Sequence, residues 1–390
     1  MENYYCSQKF YQLKIDAEKR ILNSCCKADQ EIIDTDWLEK NKGQLFNTPK
    51  LLQERQQMLN NVRIKGCENA CWKNEDRGLW SRRLRDRTDK RTITSIKNTP
   101  KHLDITLSSD CNLACSYCCK SYSSTWRKET IRHGNLKNLN DYSDRYIINN
   151  FDLAIDRLSQ KDKKKLKIYS LLEQEIEHMK QDLTSVTVTG GEPFLHHSFP
   201  KVIHTLKDVK YLTVYTGLGV SEAVLRRGLE VLAKNKNVEI CVSAESVEDN
   251  FEFNRYGSNW KTFVKHLDTI KSYGIKVTFN MSYGNLNVVD FVEFNDLFGD
   301  YDRKLNMVHE PAFLAVYNMD DETKDNLIKS IETSRFSNTR DVSQLVNTLS
   351  HNTNEVLRKH LSIFLKQICK RRSNTIDFMP DSFKDWINFH

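Results

Sequence analysis

The sequence predicts an α/β fold, a partial (β/α)6 TIM-like barrel with a cysteine-rich module ahead of it and helices behind. Three observations predict it. From His102 onward, short apolar stretches alternate with longer segments of helical period, the signature of βαβ units. Two of those stretches end in loops of unusual chemistry, one crowded with cysteine and the next carrying Gly190-Gly191. The 11 cysteines fall into one set before residue 72, a second between Cys111 and Cys119, and two lone positions, Cys241 and Cys369.

The strands are expected at His102–Leu107, Ser185–Thr189, Tyr211–Thr216, Val238–Ser243, Lys276–Met281 and Asn306–Phe313. Helices are expected between them at Val220–Lys234, Trp260–Tyr273 and Val288–Phe298. That alternation implies parallel pairing through right-handed crossovers, with ligand sites gathered at the carboxyl ends of the strands. The expected domains are 1–95, 96–318 and 319–390, with a charged insertion at 120–182 inside the second. The first reads as irregular around a helix near Thr48–Asn61, and the last as helical, most clearly over Val342–Arg371.

Composition narrows the function. At 390 residues with ordinary apolar content, a substantial core is feasible and wholesale disorder is excluded. No apolar run approaches the roughly 20 residues of a membrane helix, and MENYYCSQKF lacks the apolar stretch of a secretory signal. The cytoplasm is the expected location. The net charge of +7 sits largely in runs such as Lys161–Lys165 and Arg82–Arg85. Such runs suit solvated helix faces, nucleic-acid contact or a rim for an anionic substrate, and charge does not choose among them.

In a reducing compartment, closely spaced cysteines point to metal ligation rather than disulfides. Ser109-Asp110-Cys111-Asn112-Leu113-Ala114-Cys115-Ser116-Tyr117-Cys118-Cys119 directly follows the first barrel strand. Three thiolates from one loop can converge on a four-iron cluster and leave one iron open for a small molecule. A zinc knuckle built from Cys111, Cys115, Cys118 and Cys119 is the plainer alternative. Cys241 and Cys369 read as small core residues.

This loop resembles the cluster loop of radical S-adenosylmethionine (radical SAM) enzymes, with Tyr117 as the aromatic residue before the last ligand. The resemblance implies that the open iron chelates S-adenosylmethionine and that the reduced cluster cleaves it to a 5′-deoxyadenosyl radical that abstracts hydrogen. Gly190-Gly191-Glu192 resembles the family's Gly-Gly-Glu motif, which contacts the methionine amino group. Ser243-Ala244-Glu245 resembles its Ser-x-Asp near the ribose, with Glu245 in place of Asp. Arg255, in Asn254-Arg255-Tyr256-Gly257, matches a segment whose guanidinium can pair with the methionine carboxylate. Thr216-Gly217 stands where relatives tend to carry Thr-Asn.

Cys6, Cys25, Cys67 and Cys71, with Cys26 the alternative to Cys25, resemble the auxiliary-cluster module of the SPASM/twitch branch. That resemblance implies a second [4Fe-4S] cluster, a peptide, protein or small-molecule substrate, and a reductant such as flavodoxin or ferredoxin. Zinc on the same four sulfurs is the simpler reading. A non-catalytic, zinc-stabilised module binding nucleic acid or protein is the alternative for the whole chain.

Overall fold

The computed structural model describes residues 4–25, 28–78, 81–85, 95–146, 167–337 and 339–389. Cys26 and the run Lys161–Lys165 lie outside the described residues. The chain divides into two compact units. One comprises Met1–Ser108, Asp162–Val214 and Arg227–Glu239, the other Ser109–Lys161, Tyr215–Arg226 and Ile240–His390.

Among the described residues nine strands form: β1 Gln12–Asp16, β2 Ile21–Asn23, β3 Glu31–Ile32, β4 His102–Thr106, β5 Ser185–Thr189, β6 Tyr211–Thr216, β7 Val238–Val242, β8 Lys276–Tyr283 and β9 Asp302–Met307. In the first unit the order runs β3-β2-β1-β4-β5 and on to the opening residues of β6 and β7. In the second, the closing residues of β6 and β7 are followed by β8 and β9. Pairing is parallel from β1 to β4, β4 to β5, β5 to β6 and β8 to β9, while β2 is antiparallel to both β1 and β3. The parallel α/β core matches the expected fold class.

Alternation explains the layers. In the first unit, Leu13, Leu103, Val186 and Leu212 stand in register across four strands, as do Ile15, Ile105, Val188 and Val214. All eight are essentially inaccessible to solvent. Each contributes roughly 2 kcal/mol through burial. The intervening residues are polar: Thr106 and Thr189 hydroxyls meet at 2.8 Å, and Gln12 donates to Asp104 at 2.7 Å. The second unit repeats the pattern on β8, where Phe279, Met281 and Tyr283 are buried. On the opposite face Asn280 pairs with Lys304 and Ser282 with Asn306. In each unit one sheet face is thus apolar and buried, and the other carries polar side chains.

Three elements differ from the sequence expectation. Residues 12–32 are not irregular, because β1 extends the sheet by pairing residue for residue with β4, from Gln12↔His102 to Asp16↔Thr106. The last strand is Asp302–Met307, not Asn306–Phe313, and Pro311 instead precedes a short turn of helix at Ala312–Leu314. Val342–Arg371 is two helices, Arg340–Leu349 and Glu355–Arg372. Asn354 starts the second by accepting from the Val356 N–H at 2.8 Å.

Gly228, within the helix Glu222–Leu232, packs against Phe194, the aromatic residue that follows Gly190-Gly191-Glu192-Pro193. A Cβ there would overlap the buried Phe194 ring. Alanine ordinarily gains up to about 1 kcal/mol over glycine in a helix, whereas overpacking costs about 1–3 kcal/mol. Gly228→Ala is therefore expected to lower the urea unfolding midpoint. A midpoint at or above wild type would show that Phe194 moves aside freely.

Candidate active site

The cysteine loop begins five residues after β4 and is held from two directions. Ser123 caps the helix Ser124–His133 through the Trp126 N–H at 3.1 Å and donates its own hydroxyl to the Leu113 carbonyl at 2.6 Å. From that helix, Thr125 donates to the Cys111 carbonyl at 2.6 Å and the Trp126 indole to the Cys115 carbonyl at 2.8 Å. Arg127, buried, reaches both the Ser109 hydroxyl at 3.1 Å and the Lys120 carbonyl at 3.0 Å, closing the two ends of the loop. None of these residues was singled out in the sequence. Their one signal was a serine cap immediately after the cysteines.

The second hold is the segment Asn254–Gly257. Ala114 N–H donates to the Tyr256 carbonyl and Ser116 N–H to the Asn254 carbonyl, each at 2.8 Å. Gly257 (φ +98°) lets the segment lie flat on the loop, because a Cβ there would meet the Asn112 carbonyl oxygen at 2.7 Å. Cys111, Cys115 and Cys118 are half-buried residues, whereas Cys119 is buried. Burial pushes the thiols of Cys115 and Cys118 above their ordinary range.

Tyr117, Glu245 and Arg255 come together beside Cys115. Arg255 donates to Glu245 Oε2 at 2.8 Å and to the Tyr117 hydroxyl at 2.6 Å, and Tyr117 donates to Glu245 Oε1 at 3.0 Å. The Arg255 Nη1 lies 3.9 Å from Cys115 Sγ, and its Nε has no acceptor among the described residues. The ion pair is sequestered, with side-chain exposures of 3% for Arg255 and 0% for Glu245. Ser243, two residues before Glu245, extends the β6–β7 pairing by donating its N–H to the Thr216 carbonyl at 2.9 Å.

The Gly190-Gly191-Glu192 turn belongs to the first unit. A Cβ on Gly190 would sit 2.8 Å from the Ser108 carbonyl oxygen, which accepts from the Gly191 N–H at 2.8 Å. Glu192 is buried and accepts from the Phe194 N–H at 3.3 Å, capping the turn Pro193–Leu195.

Residues 105–298 match the radical SAM superfamily model. This is a radical SAM domain. GTP 3′,8-cyclase from Synechocystis sp. is 28% identical over 115 residues, which are 29% of this chain and 32% of that protein. The chain thus spans about a third of the length of that curated relative. Among solved structures, native anSMEcpe with bound AdoMet aligns over 60% of this chain and 59% of its own, at 17% identity and a TM-score of 0.38. Streptococcus suis SuiB bound to S-adenosylmethionine aligns over 84% and 68%, at 15% identity and a TM-score of 0.34.

The radical SAM domain's donor set suits a [4Fe-4S] cluster. It offers three soft thiols from one loop, with a buried guanidinium beside the middle one. Among the described residues, no three His, Cys, Asp or Glu side chains gather tightly enough to hold a single metal ion.

Ahead of the radical SAM domain, Cys6, Cys25, Cys67 and Cys71 line one small cavity of about 20 Å³. Phe10, Met58, Ile64 and Trp72 pack around them. Burial pushes Cys67 up to about 12, with nearby Lys9 opposing it. Lys9 itself pairs with Glu54 in a buried salt bridge.

The loop carrying Glu245 continues to Val247, whose N–H donates to Asp290 Oδ2 at 2.9 Å. Burial pushes the Asp290 carboxyl up to about 6. The folded state therefore holds its proton more tightly than the unfolded chain, and stability is lost as pH rises from about 4 through about 6. Asp290→Asn removes the charge and keeps an acceptor. Its Tm is expected to exceed wild type at pH 8, with the gain shrinking toward pH 4. A gain independent of pH would rule out Asp290 ionisation as the cause.

Proposed function

We propose that this chain is a radical SAM enzyme. In this reading Cys111, Cys115 and Cys118 hold a [4Fe-4S] cluster with one open iron, and S-adenosylmethionine binds there. When reduced, that cofactor pair supplies a 5′-deoxyadenosyl radical for hydrogen abstraction from a substrate. The observation that carries the reading is the cysteine loop itself, a three-thiol loop at the carboxyl end of β4 inside a domain that matches this family.

The chain's own residues then have defined work. Tyr117 and Glu245 hold Arg255 beside Cys115, where its charge opposes the anionic charge of the thiolates. The unpartnered Arg255 Nε remains available for a carboxylate, the role that the methionine end of S-adenosylmethionine would fill. Gly190 and Gly191 keep the β5 turn free of side chains, so an ammonium can approach backbone carbonyls. Ser243 is the candidate ribose contact, since both Glu245 oxygens already accept from within the protein.

In the same reading, Cys6, Cys25, Cys67 and Cys71 hold an auxiliary cluster that relays electrons or braces the substrate entrance. Their convergence on one cavity supports it. A flavodoxin or ferredoxin is the expected reductant. A peptide or protein is the expected substrate, on the likeness of the cysteine module to the SPASM/twitch branch.

Anaerobically purified protein is expected to be brown. With dithionite and S-adenosylmethionine it should release 5′-deoxyadenosine, and Cys115→Ala should abolish the release. Colourless protein carrying stoichiometric zinc, or equal product from the variant, would overturn the assignment. Cys67→Ala is expected to remove about four irons per chain and leave some uncoupled cleavage. Unchanged iron content would eliminate the auxiliary site.

A further inference from the structure

Arg372 closes the long helix Glu355–Arg372, 74 residues beyond the limit of the radical SAM match at residue 298. Its side chain is 1% exposed. The guanidinium lies between two aromatic rings, 4.8 Å from the Trp126 centroid and 4.4 Å from that of Tyr256. Both rings belong to the residues that hold the cysteine loop. Trp126 donates to the Cys115 carbonyl at 2.8 Å, and the Tyr256 carbonyl accepts from Ala114 at 2.8 Å.

The ion pair around Arg372 is incomplete. Its Nε donates to Glu129 Oε2 at 3.1 Å, while Nη1, Nη2 and Glu129 Oε1 have no partner among the described residues. A buried cation is costly unless it is fully paired. Arg372 accepts that cost next to the one loop in the second unit where anionic sulfur would accumulate. Trp126, on which the Arg372 guanidinium stacks, donates to the Cys115 carbonyl, and Arg255 Nη1 lies 3.9 Å from the Cys115 Sγ, so both cations stand close to the same cysteine.

We propose that Arg372 is a positioning and charge-tuning residue of the catalytic cluster. It clamps the Trp126 and Tyr256 supports of the loop, and its charge favours the reduced, more anionic state of the cluster. The inference rests on the radical SAM reading above. Glu129 sets the opposing charge, so the two residues act as a matched pair with opposite electrostatic effects.

The test is the midpoint potential of the EPR component that S-adenosylmethionine perturbs, measured in full-length wild type, Arg372→Gln, Arg372→Lys and Glu129→Gln. Arg372→Gln is expected to lower the reduced-to-oxidised ratio about tenfold at a fixed poise, equivalent to about 59 mV for one electron. Glu129→Gln should move the potential the other way, and Arg372→Lys should stay near wild type. If Arg372→Gln fails to load iron, Glu129→Gln alone decides.

A purely structural role would have Arg372→Gln and Glu129→Gln perturb the loop in the same direction, since both break one ion pair. Potentials that shift together, or not at all, would overturn the proposal. Wild-type protein without such an EPR component would instead overturn the radical SAM reading itself.

Discussion

The site depends on the backbone of the cysteine loop being laid against the backbone of Asn254–Gly257. Two amide hydrogen bonds, from Ala114 and Ser116, make that contact, and the missing side chain of Gly257 permits it. A loop with three cysteines in eight residues has little internal structure of its own. Its geometry must come from what it rests on. Placing Arg255 in the supporting segment means that the same contact delivers a cation to Cys115. Position and charge are therefore set together.

That coupling explains why Glu245 and Tyr117 are where they are. A buried guanidinium left with a single sulfur neighbour would be strongly destabilising. Glu245 balances the charge, and the Tyr117 hydroxyl links the two by accepting from one and donating to the other. The triangle fixes the aromatic residue that precedes Cys118, so that cysteine inherits the order of the ion pair. Substituting Glu for Asp at position 245 adds the methylene of reach that this arrangement uses.

The sequence made some of this legible and concealed the rest. β5 and β6 were readable to the residue because Ser185–Thr189 alternates strictly between polar and aliphatic side chains and Tyr211–Thr216 is rich in β-branched and aromatic ones. β9 was misplaced because Asp302–Met307 carries charge on both faces, while the apolar residues that drew attention, up to Phe313, belong to the turn after it. β1 went unseen because it offers only two apolar residues, Leu13 and Ile15, and its parallel partner lies some 90 residues away. The cysteine spacing marked its loop from local sequence alone. Tyr117 and Glu245 are separated by 128 residues, and no local pattern joins them.

The helix Glu355–Arg372 alters where this molecule can be divided. The family match ends at Phe298, yet the aromatic supports of its cysteine loop are completed by a cation far downstream. A fragment trimmed to the recognisable segment would leave Trp126 and Tyr256 facing a void and Glu129 without its counter-ion. The functional boundary of such a domain is drawn by its contacts, and homology marks only the part of it that other chains share.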